Sequence, residues 1–220
     1  MINILLSNYD LDKDWLITET SKYINKYTKI VVIPFSFSDD EIKDLADWEF
    51  LYNNINGVHY FDIVNQFLSL GVKKENIKLL NYFTDEVKTM KDIINKSEVV
   101  FFTGGSAELS MKRILEKELL PEIKKRNIII GSSAGAMIQL KEYFGSPDDE
   151  YPEFKYFEGL GLINDNFSIE VHYCSTKSQD ESIEKVLKKG AKTVYGISNS
   201  GALIYKDNQV TVFGDVTIFN

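Results

Sequence analysis

One serine of the sequence stands where an apolar run gives way to very small residues. Residues 128–136 read IIIGSSAGA, in which Gly131–Gly135 match the pattern Gly-x-Ser-x-Gly. The pattern follows a predicted strand and precedes a predicted helical stretch, AGAMIQLKEY. Such a sharp turn holds its central serine exposed above the sheet, and only small flanking residues avoid collisions there. The sequence therefore predicts that Ser133 is a nucleophile.

An acyl transfer reaction at Ser133 would need donors for the oxyanion. A helix that starts after the turn has unpaired amides at its N-terminus, so the N–H of Ala134 is one candidate. A second donor could come from the turn formed by Gly104 and Gly105, because glycines let the backbone approach a substrate closely. We expect both turns at the carboxyl edge of the sheet, where open α/β folds bind ligands.

Ser133 also needs a base, since a serine hydroxyl is a weak nucleophile at neutral pH. The chain contains two histidines, His59 and His172. We interpret His59 as a helix-start or surface residue, whereas His172 ends a predicted strand, SIEVHY, and is the better base. The single cysteine, Cys174, excludes an intramolecular disulfide and a cysteine-based zinc site, and is predicted to be a buried, inert thiol.

Alternating strands and helices must position these residues. Nearly continuous apolar runs predict parallel strands that are covered on both faces, and the intervening amphipathic stretches predict helices. We therefore expect an α/β fold with a three-layer, doubly wound, mostly parallel sheet. The predicted strands are 2–7, 29–35, 76–83, 98–105, 127–131, 167–173 and 193–198, with a C-terminal hairpin over 202–219. The predicted helices are 11–26, 39–53, 58–70, 85–95, 106–118 and 179–189, and a long surface loop is predicted over 144–161.

Composition restricts the class of protein. A chain of 220 residues with 44% hydrophobic and 26% charged residues is expected to fold as one globular domain, 1–220. A net charge of −8 with only two arginines argues against nucleic acid as a partner. No apolar run reaches the roughly 20 residues that cross a bilayer, and the N-terminus does not resemble a signal peptide. We therefore expect a cytoplasmic protein that does not bind membranes.

Four segments, in this order, resemble the peptidase E and cyanophycinase family of serine peptidases: FFTGGSAEL, IIIGSSAGAMI, GLGLI followed by VHY, and VYGISNSGALIY. The resemblance covers approximately residues 97–220. It implies a fold like that of class I glutamine amidotransferases, which is flavodoxin-like, with Ser133 as nucleophile and His172 as general base. It also implies the amides of Gly105 and Ala134 as oxyanion donors, small peptides as substrates, and no metal or organic cofactor.

The chain departs from this family at the third member of the triad. Asn199 stands where the family commonly carries an acidic residue. An amide can orient a histidine but supplies no charge, and replacing the aspartate of a serine triad by asparagine is costly. Asp148 is the alternative, because peptidase E places its proposed triad aspartate at the corresponding position, and Asp149 and Glu150 lie close by. The third member stays open between these residues.

Two further departures concern the substrate pocket. Peptidase E carries an arginine after its histidine that suits an aspartyl side chain, and the corresponding stretch here has none. Lys177 could substitute for it, although without the bidentate fork of arginine. Ser106 and Ala107 replace the polar residues that usually follow the double glycine, and together with Gly104 they are expected to shape the pocket. Strict specificity for Asp-X dipeptides therefore does not follow from this sequence.

The expected function is that of a serine peptidase, similar to dipeptidase E, that cleaves a small peptide through an acyl-enzyme. Two alternatives stay open. Because of Asn199, the protein could be a weakened or inactive family member with a binding or regulatory role. An esterase of the α/β-hydrolase type shares the Gly-x-Ser-x-Gly turn but usually has its histidine near the chain end. No histidine follows His172 in this sequence. A homodimer is compatible with the sequence.

Overall fold

The structure, a computed structural model, describes residues 1–148 and 152–220. Its strands are β1 (Ile2–Leu6), β2 (Ile30–Ile33), β3 (Ile77–Leu79), β4 (Val99–Phe102), β5 (Ile128–Ser132), β6 (Glu142–Gly145), β7 (Lys155–Glu158), β8 (Phe167–Val171), β9 (Thr193–Lys206) and β10 (Gln209–Phe219). Its α-helices are α1 (Ile17–Thr20), α2 (Leu45–Tyr52), α3 (Val58–Ser69), α4 (Val87–Lys96), α5 (Ala107–Glu116), α6 (Leu120–Ile123), α7 (Ala134–Met137) and α8 (Lys177–Lys189), and a 3-10 turn covers Lys74–Asn76.

The main sheet has a parallel half and an antiparallel edge. β1, β5, β4, β2 and β3 are neighbours in this order and run parallel. β9 joins the outer side of β1 in the antiparallel direction, and it is flanked by β10 (antiparallel) and β8 (parallel). Asp207 and Asn208, both with positive φ, form the two-residue turn between β9 and β10, which is the favoured geometry for a hairpin. The predicted α/β fold with C-terminal antiparallel strands is confirmed.

Helices bury both faces of this sheet. Successive side chains of a strand point to opposite faces, and β4 shows the consequence. Val100 and Phe102 pack in the core cluster that contains residues of α4, α5 and α6, whereas Val99 and Phe101 pack in the cluster that contains α3. This explains why the parallel strands read as continuous apolar runs. Among the described residues, no helix is long and apolar enough to cross a membrane.

Two predicted helices are much shorter than expected. Of the range 11–26, only Ile17–Thr20 is α-helical. Thr20 donates its hydroxyl hydrogen bond to the carbonyl of Leu11, and such side-chain bonds favour turns over continued helix. Of the range 39–53, only α2 is helical, because its N-cap is Asp44. The carboxylate of Asp44 accepts from two backbone amides at the start of α2.

The segment after Ser133 also differs from the prediction. Only one helical turn, α7, follows the serine, and the chain then enters β6. β6 pairs antiparallel with β7, which lies inside the range predicted as a surface loop, 144–161. Tyr143 and Phe157 face each other in this pair with their rings stacked at 5.2 Å, and such cross-strand aromatic pairs stabilise strands. The loop prediction was therefore wrong for β7.

Candidate active site

Ser133 lies at a strained backbone corner between β5 and α7. Its φ of 51° and ψ of −117° are in a region that residues with a Cβ rarely adopt. A Cβ added to Gly131 would lie 1.9 Å from the carbonyl oxygen of Gly135, and one added to Gly135 would lie 2.3 Å from that of Phe102. The amide of Ser133 donates to the carbonyl of Leu6 at 2.8 Å, which anchors the corner to β1. The two glycines are thus required by close backbone packing.

His172 follows β8 directly and contacts Ser133. Its Nε2 lies 2.9 Å from Oγ of Ser133, and its Nδ1 lies 2.7 Å from Oδ1 of Asn199, a residue of β9. Because an amide oxygen only accepts hydrogen bonds, Nδ1 carries the ring proton in this arrangement and Nε2 is left as an acceptor. The backbone N–H of His172 donates to Oγ of Ser7 at 3.0 Å, which holds in place the backbone that carries the imidazole ring. This tautomer is the one that a base for Ser133 requires.

The Gly104–Gly105 turn lies beside Ser133. A Cβ on Gly105, whose φ is 127°, would lie 2.4 Å from the carbonyl oxygen of Ser36, so only glycine fits. The N–H of Gly104 donates to the hydroxyl of Tyr9 at 3.1 Å and is therefore occupied. Within the described residues, the amides of Gly105 and Ala134 make no hydrogen bond. Both residues line the cavity that contains Ser133.

The cavity next to Ser133 has a volume of about 560 Å³. Ser106 and Asp148 are on its walls, as is Glu170. Both ring nitrogens of His172 are engaged, one by Ser133 and the other by Asn199. In this geometry Asn199, and not Asp148, contacts Nδ1. Asp149 and Glu150 lie outside the described residues.

Three other residues considered in the sequence lie away from this contact. The side chain of Lys177 is 90% exposed, lies 3.7 Å from the carboxylate of Glu181, and is not on the cavity wall. Cys174 is exposed, so the predicted burial of its thiol was wrong. The reason is its position in the turn after β8, outside the sheet. His59 lies 3.1 Å from the carboxylate of Glu41, on the wall of a neighbouring cavity whose described walls do not include Ser133.

Glu170 is a cavity residue that the sequence analysis missed. It precedes His172 by two residues on β8 and is only 7% exposed. Its Oε2 accepts from Oγ of Ser146 at 2.8 Å. Burial raises the pKa of its carboxyl to about 7, against hydrogen bonds from Ser146 and Gln179 that lower it. A charged residue in the middle of the apolar strand FSIEV was the signal that could have revealed it.

This raised pKa predicts how Glu170 affects stability. The folded protein binds the proton of Glu170 more tightly than the unfolded chain does. Ionisation of Glu170 therefore lowers the free energy of unfolding only slightly near pH 5, and by its full amount above about pH 7. The shift from 4.5 to about 7 corresponds to roughly 3 kcal/mol. We expect Glu170→Gln to raise the free energy of unfolding in urea by up to that amount at pH 8 and by much less at pH 5. An equal effect at both pH values would contradict the assignment.

Within residues 1–148 and 152–220, no group of three or more His, Cys, Asp or Glu side chains is arranged to hold a metal ion.

Comparisons with known proteins identify a family and two similar folds. The sequence model of peptidase family S51 matches residues 52–213. The structure is similar to a crystal structure of a protein from Listeria monocytogenes EGD-e that is provisionally named peptidase E, with a TM-score of 0.64 and 18% identity over 97% of this chain and 98% of that chain. It is also similar to a peptidase from an acI-B1 Actinobacterium, with a TM-score of 0.64 and 18% identity over 97% of this chain and 87% of that chain. A search of curated proteins found no match.

Proposed function

Because the chain belongs to peptidase family S51, a family of serine peptidases, we propose that it hydrolyses small peptides through an acyl-enzyme on Ser133. The observation that carries the proposal is the 2.9 Å contact between Nε2 of His172 and Oγ of Ser133 at a strained turn. Nucleophile and base within hydrogen-bond distance, with the base oriented by a third group, are the signature of covalent catalysis by serine.

The proposed reaction uses these groups in two half-reactions. Oγ of Ser133 attacks the carbonyl carbon while its proton moves to Nε2 of His172, and the amides of Gly105 and Ala134 bind the oxyanion. The imidazolium then gives this proton to the leaving amine as the C–N bond breaks. Water attacks the acyl-enzyme, passes a proton to Nε2, and releases the acid. Ser133 regains its proton from His172 at the end.

We assign the orientation of the base to Asn199. Its Oδ1 accepts the hydrogen bond from Nδ1 of His172, which keeps Nε2 free for the serine proton. Asn199 thus orients the imidazole as the acid of a triad would, but it supplies no negative charge. Asp148, on the cavity wall, contributes charge to the pocket in this proposal rather than a hydrogen bond to the ring.

The size of the cavity supports short substrates. Pockets of about 300 to 1,000 Å³ bind molecules of drug size, and a volume of about 560 Å³ suits a peptide of a few residues. Gly104 packs against Ser133, since a Cβ added there would be 3.4 Å from Cβ of the serine. Gly105 and Ser106 form part of the wall of the cavity that contains Ser133. We propose that this wall positions the substrate backbone.

A fluorophosphonate probe tests the proposal, because it labels only an activated serine. We expect stoichiometric labelling of the wild type and none of Ser133→Ala. The matched control is Ser132→Ala, which removes the neighbouring hydroxyl, buried and bonded to the carbonyl of Ser7, and should still be labelled. If the folded wild type is not labelled and cleaves no short peptide, the protein is instead a binding or regulatory member of the family.

A further inference from the structure

The cavity next to Ser133 is lined by acidic side chains and by no lysine or arginine among the described residues. Its carboxylic acid residues are Glu108, Asp148, Glu153 and Glu170. Charges of one sign on the wall of a cleft create a field that attracts the opposite charge. The cavity therefore favours a cationic group and repels a carboxylate.

Glu170 is the buried member of this set. Its side chain is 7% exposed, and within the described residues no lysine or arginine forms an ion pair with it. Its hydrogen-bond partners, Ser146 and Gln179, are neutral. A carboxyl buried without a counter-ion is unfavourable for stability, and such groups are concentrated at functional sites.

Glu170 lies in the same cavity as Ser133 and His172. It precedes His172 by two residues, and the side chains of Glu170, His172 and Ser133 line the same cavity. Two residues of chain span at most about 7 Å, so a peptide that occupies this cavity at Ser133 lies close to the carboxyl of Glu170. A cation on the substrate would supply the counter-ion that the chain itself does not provide.

We propose that Glu170 binds a cationic group on the acyl side of the peptide substrate. The inference rests on the proposed function, since it concerns the same cavity. Two groups share the required chemistry: the α-ammonium of a free N-terminus, and the side chain of lysine or arginine. An aspartyl side chain at this position would place a second carboxylate beside Glu170 and the other acidic wall residues, which is unfavourable.

The test uses aminomethylcoumarin amides of lysine, norleucine, N-acetyl-lysine, N-acetyl-norleucine and aspartate. Norleucine matches the length of lysine without the charge, and acetylation removes the α-ammonium. We expect kcat/KM at least about 10-fold higher for the lysine amide than for the N-acetyl-norleucine amide, since one charged hydrogen bond contributes about 1.5 to 3 kcal/mol. The aspartate amide, which keeps the α-ammonium but adds a carboxylate, should be cleaved more slowly than the norleucine amide. Glu170→Gln should abolish the ratio between the lysine and N-acetyl-norleucine amides, mainly through KM. The control Glu184→Gln, which changes an exposed glutamate paired with Lys188, should keep it.

Protection from the fluorophosphonate supplies a readout that needs no turnover. Lysinamide should slow the labelling of wild-type Ser133 more than N-acetyl-norleucinamide does, and Glu170→Gln should remove the difference. Two substrates carry one cation each: the N-acetyl-lysine amide has only the side-chain ammonium, and the norleucine amide has only the α-ammonium. Whichever of the two keeps the higher kcat/KM identifies the cation that Glu170 binds. Labelling without any preference for cations, or a preference that survives Glu170→Gln, overturns the proposal and leaves the proposed function intact. Absence of labelling in the wild type contradicts the proposed function itself.

Discussion

Replacing His172 by alanine should lower the rate of peptide hydrolysis by about 10⁴- to 10⁶-fold, the order of loss when the histidine of a serine triad is removed. The reason is that Nε2, 2.9 Å from Oγ of Ser133, is the only group seen in the described structure to accept the serine proton. The measurement is kcat on the best amide substrate, with the fluorophosphonate labelling rate as a second readout. Both should fall together, because both depend on the same proton transfer.

The chain offers a matched control, because it contains only one other histidine. His59 lies 3.1 Å from Glu41, with its side chain 33% exposed. His59→Ala should therefore change kcat by less than about 2-fold, as expected for a residue outside the reacting groups. A large loss in His59→Ala together with a small loss in His172→Ala would show that the base has been assigned to the wrong imidazole.

Replacing Asn199 by aspartate should raise kcat/KM about 5- to 30-fold. A hydrogen bond to a charged acceptor contributes about 1 to 2 kcal/mol more than one to a neutral acceptor, and the gain is largest when the imidazole is protonated in the transition state. The aspartate is isosteric with Asn199, and its carboxylate would take the place of the amide oxygen 2.7 Å from Nδ1 of His172. Steady-state kinetics with the same amide measures this gain.

Two further variants decide between the candidates for the third member. Asn199→Ala removes the acceptor at Nδ1 of His172 and should lower kcat. Asp148→Asn keeps the shape of the wall residue but removes its charge, so it should affect KM for cationic substrates more than kcat. If Asp148→Asn lowers kcat by about 10³-fold or more while Asn199→Asp has no effect, the acid of the triad is Asp148.

The sequence predicted much of the fold because parallel strands buried on both faces leave a distinct pattern. Apolar runs such as those of β4 and β5 have no polar alternation, and the prediction of their strands was confirmed. The sharp turn at Ser133 could also be predicted from the sequence, since close packing excludes any side chain at Gly131 and Gly135. Steric limits within a short segment depend on the types of its residues, so the sequence alone was enough to predict this turn.

Predictions failed where a segment had weak local preferences. The range after α7 has helical composition, yet it pairs as β6 with β7 because aromatic residues from both strands pack together. Pairing between segments that are distant in sequence overrides local propensity, and it cannot be read from one segment. The shortened helices in the first fifty residues have a local cause instead, since Thr20 bonds to the carbonyl of Leu11 and Asp44 caps α2.

The residue types and their order were sufficient to predict the parallel core and the glycine-bounded corner at Ser133. The folded structure was needed to find which group meets Nδ1 of His172, because Asn199 on β9 and Asp148 beyond β6 were both compatible with the chain order. It also placed Glu170 in the cavity without a cationic partner among the described residues. Residue types and spacing restrict which side chains can react, whereas their contacts depend on how distant strands pair and where each strand ends.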